Sequence, residues 1–332
     1  MLDVRRLRLL VELSQRGTLA AVADALSYSP SSVSQQLDQL EREAGVPLLE
    51  PAGRRVRLTP QALLLVEHAR VVLDRLERAE SDVAASLTTI AGTVRVAVFQ
   101  SAAHALMPDA LTRLARTHPD LRVELVERPP EQGLFDTVAR DADLVIAEQY
   151  PGHTRPHHEG LDRVRLASDP IRLALPPATD APGARGSEAS AALPAVVDAD
   201  PQPLSAIDAD RDALARLRSA AALPWVMEPE GSAARQWALQ QCRAAGFEPD
   251  VRYVTTDLVA HIRLVRTGNA AALLPDLVWA GDAPSVRLHE LPGRPSREIF
   301  TATRFAAADR PGVIAVREAL REAASVIAAP SE

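Results

Sequence analysis

The sequence predicts three parts in series: an all-α domain with one small hairpin over residues 1–60, a single long helix over 61–90, and an α/β region over 91–328. Three observations lead there. Apolar residues recur at helical spacing in three short runs before Gly45 and in one long run after Pro60. Turn formers separate those runs, at Gly17-Thr18, at Ser27-Tyr28-Ser29-Pro30 and at Gly45. From Thr93 onward, strand patterns alternate with helical ones, as in a mostly parallel sheet covered by helices.

The first helix is expected over Leu2 to Gln15, with Leu7, Leu10, Val11 and Ser14 on one side. Thr18 caps a second helix whose apolar positions are Leu19, Val22, Ala23 and Leu26. A third begins after Ser29, a natural N-cap, with Pro30 at the first helical position, where a missing N–H costs nothing. It runs from Pro30 to about Ala44 and stops at Gly45. Val33, Leu37, Leu40 and Ala44 form its narrow inward stripe. Ser31, Gln35, Asp38 and Arg42 lie opposite, flanked by Ser34 and Gln39. Small hydroxyls allow close approach to a phosphate backbone, and Gln both donates and accepts at base edges, so this face suits a DNA groove. A merely solvated polar face is the alternative. Leu48 to Thr59 reads as a hairpin turning at Pro51-Ala52-Gly53, with Arg54, Arg55 and Arg57 beside the turn.

The long helix is expected over Pro60 to about Thr88. Ala62, Leu65, Ala69, Val72, Leu76, Ala79 and Val83 step by threes and fours, as a coiled-coil seam does. It reads as a dimerisation helix, the alternative being a core helix of the next domain. The α/β region should contain strands at Thr93 to Phe99, Leu121 to Glu127, Asp143 to Ala147, Ile171 to Leu175, Trp225 to Met227, Val251 to Thr255, Ala270 to Leu274, Val286 to Leu291 and Glu298 to Thr303. Helices should cover Ala102 to Thr117, Glu131 to Arg140, Ser232 to Ala245, Asp257 to Thr267 and Gly312 to about Ala328. Pro176 to about Ala213 is rich in Ala, Pro, Asp, Gly and Ser, and is expected to be partly loop.

The N-terminal run resembles the winged helix-turn-helix of LysR-type transcriptional regulators. The matching residues are Gly17-Thr18, Ala20-Ala21-Val22-Ala23, Leu26, Ser29, Val33-Ser34, Gln36, Leu40-Glu41, Gly45-Val46-Pro47-Leu48 and Leu58-Thr59, in the family's order and spacing. Departures occur where the family usually has Phe (here Leu49), Arg (here Pro51) and Gly (here Ala62), and Arg is common where Gln35 stands. The resemblance implies sequence-specific binding of double-stranded DNA by Ser29, Pro30, Ser31, Ser32, Ser34, Gln35, Gln36 and Gln39, with Arg54 and Arg55 as wing basics. It also implies a linker helix that pairs two copies, and a two-lobed effector domain like a periplasmic binding protein. Met107-Pro108, His118-Pro119, Asp143-Leu144, Pro224-Trp225, Ala245-Gly246-Phe247 and Leu274-Pro275-Asp276 carry that second match. Lobe one would be about 92–170 and 284–325, and lobe two about 171–283.

In such a fold a ligand sits between the lobes, at strand C-termini and helix N-termini. Gln100, Ser101 and Ala102 follow the first strand, Ser232 opens the lobe-two helix, and Thr256 precedes the next. Free N–H groups there favour an anion or carboxylate as effector. Ser101, Ser232 and Thr256 also read as ordinary N-caps.

No Gly-rich phosphate loop, nucleophile elbow or zinc-spaced Cys/His set is present, so neither an enzyme nor a cofactor is expected. His153, His157 and His158 share a loop sequence, PGHTRPHHEG, without the spacing of a metal site, and no metal is expected. The net charge of −7 argues against a polybasic nucleic-acid coat, while a sequence-specific reader needs only a local positive patch. The single cysteine, Cys242, excludes an intramolecular disulfide framework. With no signal-like start and no apolar run of membrane-spanning length, a cytoplasmic homodimer or homotetramer is expected. The other reading of the whole is a DNA-binding regulator with no small ligand, its α/β part serving assembly or protein interaction.

Overall fold

The computed structural model describes residues 1–53, 55–152, 160–177, 206–279 and 281–328. Helices α1 (Val4–Arg16), α2 (Leu19–Leu26) and α3 (Pro30–Ala44) are followed by a hairpin, β1 (Leu49–Ala52) and β2 (Arg55–Leu58). Each helix starts on a side-chain cap: Asp3 for α1, Thr18 for α2 and Ser29 for α3. Left-handed residues end them, Gly17, Ser27 and Gly45. Leu10, Val22, Ala23, Val33, Leu37, Leu40 and Leu48 close one core with Ala62 and Val66 of α4 (Pro60–Ala85).

The apolar seam expected along α4 is two faces. Ala62, Val66, Ala69 and Leu73 are buried against the small domain. Val72, Leu76 and Val83 stay exposed, with Val71 at 65% and Val83 at 67%. A straight helix drifts about 20° per heptad from a strict seven-residue repeat, so one stripe does not serve both neighbours along the whole helix.

The α/β region begins with β3 (Gly92–Val98), α5 (Gln100–Ala105), α6 (Met107–Thr117), β4 (Leu121–Glu127), α7 (Pro130–Val138) and β5 (Leu144–Gln149). The single helix expected at 102–117 is split at Leu106, with Pro108 in the first turn of α6. Next come β6 (Leu161–Leu175), α8 (Ala206–Ser219), β7 (Pro224–Met227), α9 (Ala233–Ala244), β8 (Asp250–Val254), α10 (Leu258–Arg266) and β9 (Ala272–Pro275). Strands β10 (Arg287–His289) and β11 (Ser296–Arg304) and helix α11 (Pro311–Ala328) close the chain. The expected loop at 176–213 ends in α8, and its residues 178–205 lie outside the described set.

Lobe one orders its strands β6, β11, β5, β3, β4. Only β3–β4 and β3–β5 are parallel; β11 runs antiparallel to β5 and β6, so the sheet is mixed rather than mostly parallel. A Cβ on Gly133 would stand 2.8 Å from a Val145 methyl, so glycine lets α7 lie close on β5. Strand β6 is much longer than expected and passes from one lobe to the other: residues 161–170 pair with β11, and 171–175 pair with β9 and β10. In lobe two, β7 and β8 are parallel and join the rest through the Trp225–Ala271 bridge. The return to lobe one falls later than Ala283-Pro284, because Val286, Leu288 and Leu291 pack in lobe-two clusters. No helix among the described residues is long and apolar enough to cross a membrane.

Candidate functional site

Two surfaces collect the residues singled out in the sequence. The first is the outer face of α3. Ser29 accepts the Ser32 N–H at 3.1 Å and lies 2.9 Å from the Ser31 hydroxyl, so these serines form the helix start. Ser29, Pro30, Ser31, Gln35 and Gln36 are exposed, while Ser32, Ser34 and Gln39 are half-buried. Gln36 accepts from Arg6 Nε at 2.9 Å, and Arg6 also pairs with Glu43, strapping α1 to α3. The Gln39 carbonyl accepts from Arg42 at 2.6 and 3.0 Å. Both glutamines are therefore oriented by the protein itself.

The hairpin is aimed by Glu41, whose carboxylate accepts the Leu48 and Leu49 N–H groups at 2.7 and 2.9 Å. Thr59 caps α4 through the Ala62 N–H at 3.1 Å and donates to the Pro47 carbonyl at 2.9 Å. These bonds give the Glu41, Pro47 and Thr59 motif positions a physical role, which is to fix the wing against α3. Arg57 pairs across the hairpin with Glu50. Arg55 opens β2, and Arg54 lies outside the described residues.

The second surface is the cleft between the lobes. Here Arg297, 2% exposed, occupies the centre. It donates to Glu148, to Asp169 at 2.8 Å and to the Ser101 hydroxyl at 2.7 Å. Burial opposes its charge, but Glu148 and Asp169 more than offset that and hold the guanidinium firmly protonated. Asp169 also accepts the Leu277 N–H at 2.9 Å. Burial pushes the Tyr150 hydroxyl well above its ordinary range, so it stays protonated beside Arg297. A cavity of about 30 Å³ adjoins this cluster, lined by Tyr150, Met227, Glu228, Arg235, His261 and Arg297 among others.

Glu228, at the end of the β7 run, has its carboxyl pushed up to about 7, by burial first and then by Glu148; the Ser232 hydroxyl restrains the rise. His261 is held below its ordinary value by burial and stands 2.9 Å from the Thr255 carbonyl, to which Nε2–H donates.

Of the expected cleft residues, Gln100 bridges the lobes: its carbonyl accepts the Leu258 N–H at 2.9 Å, and its amide donates to Asp257 at 3.4 Å. Ser101 is buried on Arg297 and caps no helix. Ala102 packs in the lobe-one core and presents no group to the cleft. Ser232 is the N-cap of α9, accepting the Arg235 N–H at 3.2 Å. Thr256 is exposed, and Asp257 rather than Thr256 caps α10. Sequence reasoning missed Arg297, Glu148, Asp169 and Glu228. Glu148 and Glu228 stand at the ends of parallel strands, so the rule that pointed to Gln100 would have found them; Arg297 begins an antiparallel strand, where that rule is silent. Among the described residues no group of three His, Cys, Asp or Glu is placed to hold a metal ion, and His153, His157 and His158 lie outside that set.

Comparison with known proteins agrees with this layout. Residues 4–63 match the family described as bacterial regulatory helix-turn-helix protein, lysR family, and residues 88–325 match the LysR substrate binding domain. The chain is 27% identical over 276 residues to a hydrogen peroxide-inducible genes activator of Pectobacterium carotovorum subsp. carotovorum, covering 83% of this chain and 80% of that protein. It is 25% identical over 283 residues to the transcriptional dual regulator GltC of Bacillus subtilis (strain 168), covering 85% and 84%. A full-length OxyR variant from Pseudomonas aeruginosa shares the fold with a TM-score of 0.61 at 17% identity, covering 97% of this chain and 95% of that one. Full-length BenM does so with a TM-score of 0.51 at 18% identity, covering 99% and 100%.

Proposed function

Because the chain belongs to the LysR family, and is accordingly a DNA-binding transcriptional regulator with an effector-binding domain, we propose that its effector sits between the lobes, at Gln100, Ser101, Glu228, Ser232 and Arg297. The observation that carries this reading is the cleft itself. Its wall sets Glu228, Arg235, His261 and Arg297 among apolar residues such as Met227 and Leu273, and Gln100 clasps one lobe to the other. A collapsed cleft filled by apolar side chains would favour an assembly module with no ligand; this one is nearly closed but keeps Glu228, Arg235 and Arg297 in its wall.

The cavity of about 30 Å³ admits little more than one or two waters, so the lobes part to take a metabolite. Of the charged groups in its wall, Arg297 is answered by Glu148 and Asp169 behind it and Arg235 by Glu230, which leaves Glu228. A free carboxylate would meet like charge there. The cleft therefore favours an effector that brings hydrogen-bond donors or a cationic group.

The names of the relatives raise peroxide sensing, and the chain's thiol chemistry argues against it. Cys242 is the only cysteine, and burial pushes its thiol up to about 12. A peroxide-reactive thiol is an accessible thiolate, and a disulfide needs a second cysteine.

At the other end, Ser31, Ser34 and Gln35 of α3 enter the major groove, with Ser29, Pro30, Ser32, Gln36 and Gln39 positioning the helix and Arg54 and Arg55 on the wing. Val72, Leu76, Ala79 and Val83 of α4 pair two copies, which sets two half-sites in dyad arrangement. The cytoplasm is where such a reader meets DNA. No catalytic role is assigned to any residue.

Fluorescence-anisotropy titration of DNA from the chain's own upstream region, repeated with amines, neutral metabolites and carboxylates, tests the effector reading. An effector shifts the population only if it binds two arrangements with different affinity. We expect an amine or neutral donor to change the binding isotherm and Glu228→Gln to abolish that change. A response confined to carboxylates and insensitive to Glu228→Gln would contradict it.

A further inference from the structure

We infer that β5 and β11 act as a lever that couples the interlobe cleft to the linker helix, with the Arg304–Glu77 pair as its coupling contact. The inference rests on the effector reading above for its purpose, but its geometry is independent of any ligand. The two strands are neighbours, hydrogen-bonded from Glu298–Gln149 to Ala302–Val145. Each carries a charged group near both ends, and the two ends face different parts of the molecule.

At the cleft end, Arg297 of β11 grips Glu148 of β5 and also Asp169 of β6. Asp169 precedes the point where β6 changes lobes and accepts the N–H of Leu277, whose backbone continues from β9 of lobe two while its side chain packs in the lobe-one core, so Asp169 sits where both strands cross between the lobes. A rotation of lobe two thus pulls on Asp169, and through it on Arg297.

At the far end, seven residues or roughly 23 Å along the strand, Arg304 still pairs with Leu161 of β6 while its side chain meets α4. Its Nε donates to the Glu77 carboxylate at 2.9 and 3.0 Å, and its Nη2 donates at 2.7 Å. Its Nη1 donates to the carbonyls of Thr137 and Ala142, the second at 2.8 Å. The segment just before β5 joins the same grip. Arg140, in the left-handed region at φ 64°, donates to both Glu77 and Asp74 of α4. Asp141 accepts from Arg16 of α1 at 2.7 Å. Thr303 donates to the Asp143 carbonyl at 2.6 Å and so locks the two strand ends together. Burial raises the Glu77 carboxyl, but Arg304 and Arg140 more than offset that and hold it below the ordinary range.

Two properties make this contact a relay rather than a fixed seam. The strands are cross-linked along their length and do not stretch, so a displacement at Arg297 arrives at Arg304. The contact with α4 is made by ion pairs that depend on a fork geometry, and a displacement of about one ångström breaks one N–H···O bond of the fork while keeping others. The state of the cleft therefore sets the tilt of α4, which carries the DNA-reading domain.

The test is a double-mutant cycle read by hydrogen exchange on the full chain, with no ligand added. Ser101→Ala removes one acceptor of Arg297 and perturbs the cleft end only; Glu77→Gln removes the charge at the far end. We expect Ser101→Ala to change amide exchange in residues 74–85 by at least about threefold, the lower range for coupled groups. We expect that change to vanish in the Glu77→Gln background. Arg140→Gln, which removes the pairs of Arg140 with Glu77 and Asp74 but leaves Arg304 on Glu77, should diminish it and serves if Glu77→Gln is poorly folded. An unaltered α4 after Ser101→Ala, or an equal change in both backgrounds, overturns the lever. Failure of every metabolite in the anisotropy assay, with the cycle intact, would instead count against the effector reading alone.

Discussion

Strand β11 carries an arginine at each end, and the two do different work with the same chemistry. Arg297 lies wholly inside the effector domain, with two carboxylates and a hydroxyl all buried around it. Arg304 is buried on one side by carbonyls of its own lobe and on the other meets a carboxylate of the linker helix. A buried ion cluster within one body fixes geometry, because breaking it strands charge away from water. An ion pair across two bodies joins them reversibly, since either partner regains water when they part. Position relative to the boundary between units, rather than residue type, decides which role an arginine has.

Removing each arginine tests that contrast most severely. Arg297→Met leaves Glu148 and Asp169 without their cation, and we expect a loss of about 3–5 kcal/mol in urea unfolding. Arg304→Met should cost less, about 1–3 kcal/mol, because Glu77 rehydrates. Equal losses would erase the distinction between the two ends.

The pH dependence of Glu228 comes next. Its folded carboxyl sits at about 7 against an ordinary value of 4.5, so between these values the folded chain binds more protons than the unfolded one. Its contribution to stability is fully present below the ordinary value and is lost as pH rises through 7. The shift corresponds to at most about 3 kcal/mol. Glu228→Gln should therefore gain on the parent in thermal melting from pH 5 to pH 8, and a constant difference across that range would show that Glu228 is not a titrating group of the cleft.

Effects at the DNA face should be smaller. Gln35→Ala or Ser34→Ala should reduce binding to the specific site, relative to random DNA, by about 1–3 kcal/mol. Equal loss on both DNAs would reduce these side chains to backbone contacts. Arg54→Ala should lower the salt slope of binding by about one. The smallest expected change is Thr18→Ala, which removes the α2 cap bond to the Ala21 N–H and should cost about 1 kcal/mol in unfolding, with DNA specificity retained.

The DNA-binding domain was almost fully legible in the sequence, because its determinants are local. Ser29, Pro30 and Gly45 mark the ends of α3, and Val33, Leu37 and Leu40 mark its inner face, all within the run 29–45. The cleft was only half legible. Gln100 and Ser232 follow from strand and helix ends, but the Arg297 cluster joins residues 128 to 196 positions apart, which no local pattern reveals. The split of the α4 stripe was hidden for a related reason: an apolar seam shows that a helix has partners, but not which partner each turn meets. Only Ile171 to Leu175 of β6 is legible as strand, because the polar stretch at Asp162, Arg163 and Arg165 conceals its period, and pairing with β11 makes the rest a strand.

On the reading proposed above, this chain reads a specific DNA sequence as a two-fold pair. Selection of bound DNA from a random-sequence pool by the full chain, followed by sequencing, tests it without assuming a target. We expect enrichment of two related half-sites in inverted arrangement, spaced by about one helical turn or a multiple of it. Recovery of DNA with no common sequence, or of a single half-site without dyad symmetry, would contradict the claim.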